Sequence, residues 1–195
     1  MFKRTKGYFL LTMLVLTGLA GRMHSNILST KERHTLVTEL KTSKNDFLKN
    51  VDDLSARQMN FKLRKKDLSI KDYIYKMVSM ETSLWSACQA SLKEEPSSIQ
   101  KTYSDETLIS VIQQQQIFFR TIQFASSKEV LKLYKHEDAE MLKYVHTSTE
   151  NIRGHGLNTN FGYFDCYQLI LLTTIYCKYY TEQIEKIKAN PKFPE

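Results

Sequence analysis

The sequence is poor in the residues that form tight turns. Its 195 residues include only 6 Gly and 3 Pro, which argues against an all-β chain with many turns and against Gly-rich phosphate-binding loops. It has no Cys-x-x-Cys, His-Glu-x-x-His or Gly-x-Ser-x-Gly motif, and no two His residues stand three or four positions apart. The sequence therefore contains neither a familiar zinc-binding motif nor a serine nucleophile motif.

The rest of the composition is that of an ordinary globular domain. Hydrophobic residues make up 42% of the chain and charged residues 25%, which argues against disordered, collagen-like and coiled-coil proteins. The length suits one domain and leaves little room for a second.

The N-terminus has the pattern of a secretory signal peptide. A basic head over 3–6 precedes an apolar stretch over 8–19, and small residues lead up to Ala20. The stretch is shorter than the roughly 20 residues that a spanning helix needs, so we expect cleavage after Ala20 rather than an uncleaved anchor. We therefore expect a signal peptide over 1–20, a linker over 21–28, no stable membrane span after cleavage, and export to the periplasm or the extracellular space.

The net charge of the mature chain bears on its partners. Cleavage removes three basic residues and no acidic residue, so the net charge falls from +7 to +4. A charge this mild does not indicate nucleic acid, which an exported protein rarely meets. We expect an unknown small molecule or protein as the partner, and no nucleic acid.

Three cysteines remain in the mature chain: Cys88, Cys166 and Cys177. Cys166 and Cys177 would lie about 16 Å apart on one helix, which is too far for a disulfide. In an oxidising compartment only Cys88 could bridge to one of the other two. Free buried thiols are the other state open to all three, and the residues alone favour it.

Apolar residues recur at helical spacing between polar segments that begin with capping residues. This pattern predicts an all-α helical bundle. No stretch shows sustained two-residue alternation, and 147–160 lacks periodicity, so we expect a long loop there. The predicted helices run over about 30–52, from 70 to the loop at 94–98, over 104–119, over 127–145 and over 166–189, with one helical turn at 55–59.

A group of tyrosines stands out on the last predicted helix. Tyr176 and Tyr180 are four residues apart and share a face, with Tyr179 beside them. A buried Tyr needs a partner for its hydroxyl. Two interpretations stay open: the tyrosines pack the bundle with their hydroxyls at its rim, or a nearby Lys lowers the pKa of a phenol.

Three segments resemble motifs of one known family. They read DLSARQMNFK over 53–62, LSIKD over 68–72, where the family has Trp in place of Leu68, and FGYFDCYQ over 161–168. Their order and spacing resemble the DinB/YfiT-like superfamily of four-helix bundles, which includes thiol-dependent S-transferases. The resemblance covers 29–195 and implies a DinB-like four-helix bundle with a short extra helical segment.

The resemblance also implies where a site would be. Metal-binding relatives bind a divalent ion such as nickel or zinc with three His, and the matching positions here are Lys76, Tyr176 and Tyr180. A cationic Lys and two neutral phenols are poor ligands for those ions. The family pattern therefore implies a polar Lys/Tyr pocket, with Glu81 and Tyr179 near it, and we expect no metal and no other cofactor.

From the family pattern we expect a non-catalytic binding or structural module in which Lys76 points toward the two tyrosines. The alternative is a thiol-dependent S-transferase or a metal-dependent hydrolase with an altered active site. The resemblance also implies that the second and last helices are antiparallel, which would place Cys88 and Cys166 at similar height and favour a disulfide between them. Many relatives form dimers, so a homodimer is also consistent with the resemblance.

Overall fold

Four long helices form the body of the protein. The structure is a computed structural model that describes residues 27–105, 107–108, 124, 126–159 and 161–195. That part of the chain also contains a short helical turn and a two-stranded hairpin. In chain order they are α1 (Thr30–Val51), α2 (Ala56–Met59), α3 (Ile70–Ser91), α4 (Ser127–Thr147), β1 (Gly156–Thr159), β2 (Gly162–Asp165) and α5 (Cys166–Lys188).

Local capping residues determine where the helices begin. The Ser69 hydroxyl accepts a hydrogen bond from the Asp72 amide at 3.2 Å, and the Asp72 carboxylate accepts one from the Ser69 amide at 2.8 Å. Each bond satisfies an amide that the first turn of α3 leaves unpaired. The same reciprocal arrangement starts α1, α2 and α5. The predicted starts of these helices and the helical turn within 55–59 are confirmed.

The bundle has a simple arrangement. Both α4 and α5 pack against α1 and α3, and α4 and α5 occupy opposite corners. Lys188 Nζ, at the end of α5, donates to the backbone oxygen of Asn50 at 3.1 Å, so α5 runs parallel to α1. Tyr73, early in α3, contacts Tyr180, late in α5, so these two helices are antiparallel. The core between them is formed mainly by aliphatic and aromatic side chains, among them Leu36, Phe47, Ile74, Met77, Tyr134, Met141, Leu169 and Ile184.

The prediction that 147–160 is only a loop is wrong at its end. Strands β1 and β2 pair antiparallel, with Gly156 opposite Asp165 and Thr159 opposite Gly162. Each strand has four residues, too few for two-residue alternation to be recognised. Gly162 has a φ of 120°, and a Cβ placed there would lie 2.3 Å from Thr102 Oγ1. The turn therefore requires Gly.

Three predicted segments lie wholly or largely outside the described residues. They are the signal peptide over 1–20, the linker over 21–28 and the helix over 104–119, of which Asp105, Thr107 and Leu108 are helical. Of the helices in the described part of the chain, none has the length and apolar character needed to span a membrane.

Candidate functional site

Four tyrosines meet where the first turns of α3 face the last turns of α5. We call Tyr73, Tyr176, Tyr179 and Tyr180 the tyrosine cluster. The rings of Tyr176 and Tyr180 stack with centroids 6.1 Å apart, and Tyr179 meets Tyr180 edge-on at 5.3 Å. From α3, the ring of Tyr73 lies 6.0 Å from that of Tyr180. The i, i+4 spacing on α5 thus produces the shared face that the sequence predicts.

Burial differs across the cluster and affects its chemistry. Tyr176 is only 8% exposed, whereas Tyr179 is 48% exposed. Burial, reinforced by the neighbouring Tyr179 and Tyr73, raises the pKa of Tyr180 to about 12. Burial likewise raises the pKa of Tyr73. Tyr73 and Tyr180 are therefore neutral phenols at physiological pH, not phenolates that would attract a metal cation.

Lys76 lies half-buried on α3, three residues after Tyr73. It makes no hydrogen bond or ion pair with any residue that the structure describes. The family pattern places Lys76 toward Tyr176 and Tyr180, and that orientation stays a prediction. Within the tyrosine cluster, the α3 side chain that contacts α5 is Tyr73. Tyr73 could have been identified from the sequence, because it lies one helical turn before Lys76 on the same helix.

Glu81 lies deeper in the bundle than the tyrosine cluster. It is 2% exposed, and its Oε1 has no hydrogen-bond partner among the described residues. Burial raises the pKa of Glu81 well above its usual range, and the negative charges of Asp138 and Glu137 act in the same direction. Burial thus favours the protonated form of the Glu81 carboxyl over the carboxylate.

The groups around Glu81 come from other helices. Asp138, on α4, accepts an ion-pair contact of 2.6 Å from Lys44, on α1. Tyr134 Oη lies 3.5 Å from Cys177 Sγ, which links α4 to α5. Burial raises the pKa of Cys177 to about 12. Sequence spacing did not reveal this interior polar cluster, because its members lie on different helices.

The residues that the sequence resemblance matches to metal ligands do not fit a divalent metal. Lys76 carries an ammonium group, and the two phenols at Tyr176 and Tyr180 stack on each other. None of these offers the imidazole or carboxylate donor that nickel or zinc prefers. Within the described residues there is also no group of three or more His, Cys, Asp or Glu that could hold a metal ion.

An open cleft of about 390 Å³ lies beside the tyrosine cluster and shares Tyr73 with it. We call it the basic cleft, because three of its side chains are cationic and one is acidic. Arg64 Nε is paired with Asp67 at 3.0 Å. Lys66 and Lys186 are exposed and form no ion pair within the described part of the chain. The cleft is lined by Leu63, Arg64, Lys66, Asp67, Leu68, Tyr73, Gln183, Lys186 and Ile187.

The three cysteines are free and buried. Cys88, in the last turn of α3, and Cys166, the first residue of α5, lie side by side, with Cys166 Sγ 3.8 Å from the backbone oxygen of Cys88. The hydrogen bond with Cys166 and burial together raise the pKa of the Cys88 thiol far above its usual range. The predicted disulfide between them stays a prediction.

Comparison with known proteins supports the fold. No family model matches the chain, and no curated protein matches its sequence. One solved structure is similar, described as "YfiT from Bacillus subtilis is a probable metal-dependent hydrolase with an unusual four-helix bundle topology". The match has a TM-score of 0.60 at 11% sequence identity and covers 89% of this chain and 93% of that one. The chain therefore has a YfiT-like four-helix bundle fold.

Proposed function

We propose that this protein is an exported, metal-free and non-catalytic binding module built on the DinB-like fold. Its ligand is a small molecule held in the groove that the tyrosine cluster and the basic cleft form together. The observation that carries the proposal is the stacking of Tyr176 on Tyr180 at 6.1 Å, and the sequence resemblance matches these two residues to His ligands of metal-binding relatives.

The chemistry of these residues supports binding rather than catalysis. Tyr180, with a pKa raised to about 12 by burial, is a weak base and a weak nucleophile at neutral pH. Aromatic rings and lysine ammonium groups are instead suited to contacts with a flat or anionic ligand. The 48% exposure of Tyr179 leaves part of the cluster open to solvent.

Metal analysis of the mature protein tests the metal-free part of the proposal. The protein is purified without a metal-binding tag, offered nickel, zinc, iron and manganese in turn, dialysed, and measured by elemental analysis. We expect occupancy near zero for every ion, because the donor set lacks imidazole and carboxylate groups. Stoichiometric retention of any of these ions would overturn the metal-free proposal.

Restoring the family's ligands tests the placement of the site. The triple variant Lys76→His, Tyr176→His, Tyr180→His should bind zinc or nickel at one ion per chain, because it rebuilds a three-His set. A matched control carries three His at exposed lysines that lie far apart, Lys49→His on α1 and Lys132→His and Lys143→His about three turns apart on α4, and should bind much more weakly. Equal binding by both variants, or none by a folded triple variant, contradicts the placement.

A metal-dependent hydrolase is the second candidate. The observation that favours it is the fold shared with YfiT, which is described as a probable metal-dependent hydrolase. This candidate, like a thiol-dependent transferase, requires metal at Lys76, Tyr176 and Tyr180 or at a site outside the described residues. It predicts retained metal and hydrolysis of activated esters or amides that stops on chelation, whereas the binding module predicts neither.

Export is tested by determining the N-terminus of the secreted protein. We expect the mature chain to begin at Gly21, because small residues precede the bond after Ala20. A chain that keeps Met1 and stays in the cytoplasm contradicts the export proposal and leaves the metal tests unaffected.

A further inference from the structure

We propose that the ligand of the basic cleft is a small organic phosphate that carries an aromatic ring. Lys66 and Lys186 contact the phosphate, and Tyr73 contacts the ring. This inference rests on the proposed binding function and specifies the class of ligand.

The charge of the cleft is the first argument. Its lining has three cationic side chains and one carboxylate, Asp67. Arg64 pairs with Asp67, so these two charges offset each other. The ammonium groups of Lys66, from the connector before α3, and Lys186, from α5, have no ion-pair partner among the described residues. Two uncompensated cations in one cleft favour a ligand with two negative charges, which a phosphate monoester carries near neutral pH.

The apolar part of the lining is the second argument. Leu68 and the aromatic ring of Tyr73 are half-buried, and Ile187 is buried. Leu63 also lines the cleft and is 42% exposed, so a ring bound beside it would cover apolar surface that faces water. An inorganic anion would leave this surface in water, whereas an aromatic group would bury it and stack on Tyr73.

Size is the third argument. The cleft measures about 390 Å³, which lies near the lower end of the roughly 300–1,000 Å³ that small-molecule sites occupy. A single ring with a phosphate fits this space, and a folded protein partner does not. The positions of the residues along α5 explain why they line the same cleft as Tyr73. Gln183 and Lys186 follow Tyr180 along α5, on the side that faces Tyr73.

Calorimetric titration with phenyl phosphate tests the inference. Inorganic phosphate and phenol serve as half-ligands, and each titration is run at low and at high salt. We expect saturable binding of phenyl phosphate that is tighter than that of either half-ligand and weakens as salt rises, because exposed charges are screened. Equal affinity for phosphate and phenyl phosphate, or no saturable binding of either, overturns the proposal.

Two pairs of variants assign the contacts. The variant Lys66→Ala, Lys186→Ala should bind phenyl phosphate about tenfold more weakly, as expected from the loss of two exposed charge contacts. Its control, Lys132→Ala, Lys143→Ala, makes the same change of net charge on α4, outside the cleft lining. Equal weakening by the two double variants contradicts a specific site.

The second pair concerns the ring. Tyr73→Leu should weaken phenyl phosphate binding and leave inorganic phosphate unchanged, whereas Tyr73→Phe keeps the ring and should keep the affinity. If Tyr73→Leu binds phenyl phosphate as well as the parent does, the ring contact is wrong.

Failure of this inference and failure of the proposed function give different results. Absence of phenyl phosphate binding together with absence of metal overturns only the ligand class. If the protein retains stoichiometric metal and its phenyl phosphate binding still depends on Lys66, only the metal-free proposal is overturned. The ligand class assigned to the basic cleft then stands.

Discussion

The guanidinium carbon of Arg153 lies 3.9 Å from the centre of the Tyr167 ring. From this position one guanidinium reaches three carboxylates: Glu32 at 2.7 Å, Asp105 at 2.8 Å and Asp165 at 3.0 Å. Glu32 is in the first turn of α1, Asp165 is the N-cap of α5, and Asp105 begins another helical segment. A single side chain therefore joins the N-terminal ends of three helical segments.

Arg153→Met should destabilise the protein by about 3–5 kcal/mol, because it leaves three carboxylates together without their buried cation. The Arg153 side chain is only 10% exposed, so water cannot replace it fully. Denaturant unfolding followed by circular dichroism measures the change. The matched control is Arg64→Met, which removes a guanidinium that is 85% exposed and paired with Asp67. This control should cost at most about 1 kcal/mol. Equal effects of the two substitutions contradict the role given to Arg153.

Oxidation should join Cys88 to Cys166 and leave Cys177 free. With oxidised glutathione as the oxidant, the two protein thiols form one disulfide and two glutathione thiols are released. The raised pKa of Cys88 keeps its thiolate scarce, so the reaction should be slow in the folded protein. Because the two residues are 78 positions apart, the bond should raise the free energy of unfolding by about 4 kcal/mol.

Alkylation in denaturant followed by mass spectrometry counts the free thiols. The oxidised chain should have one free thiol, at Cys177, and no bound glutathione. A Cys166→Ser variant cannot form this bond, so a form of it with one free thiol carries bound glutathione, which adds to its mass. Three alkylated cysteines after prolonged oxidation, or a crosslink that includes Cys177, would show that the prediction is wrong.

The helical part of the fold could be predicted because its signals are local. Ser29 and Glu32 cap α1 within three residues, and apolar spacing along each helix marks the face that is buried. The contacts of Arg153 with the ends of three helical segments could not be predicted. Its partner Glu32 is 121 residues away, and nothing in the sequence near Arg153 is periodic.

Part of the candidate site could be predicted from the sequence, because its signal is also local. Tyr176 and Tyr180 share a face of one helix, so their spacing brings them together. The partner from α3 depends on how that helix is rotated against α5, and helical spacing does not determine this rotation. The structure brings Tyr73 to Tyr180. Lys66 lines the same cleft as Tyr73 and Lys186 only because of the path of the connector before α3.

Gly162→Ala should cost about 1–3 kcal/mol from its backbone conformation alone, because a φ of 120° is strained for any residue with a Cβ. Contact of the new Cβ with Thr102 adds to this cost. Asn158→Ala, at an exposed position of the same hairpin, is the control and should change stability by less than about 0.5 kcal/mol. A Gly162→Ala protein as stable as this control would contradict the described turn.

Glu81→Gln should stabilise the protein increasingly as pH rises. Because burial raises the folded-state pKa of Glu81 above its unfolded value, the stability it contributes is complete below the unfolded pKa and is lost as pH rises toward the folded pKa. Gln cannot ionise and has the shape of the protonated acid. The stability difference between variant and parent should therefore grow by about 1.4 kcal/mol per pH unit between those two pKa values. Glu140→Gln, at an exposed position on α4, should show no such growth. Denaturant unfolding from pH 4 to pH 8 measures the stability of both variants and of the parent. If the stability difference between Glu81→Gln and the parent stays constant with pH, then Glu81 ionises in the folded protein as it does in the unfolded chain, and the prediction is wrong.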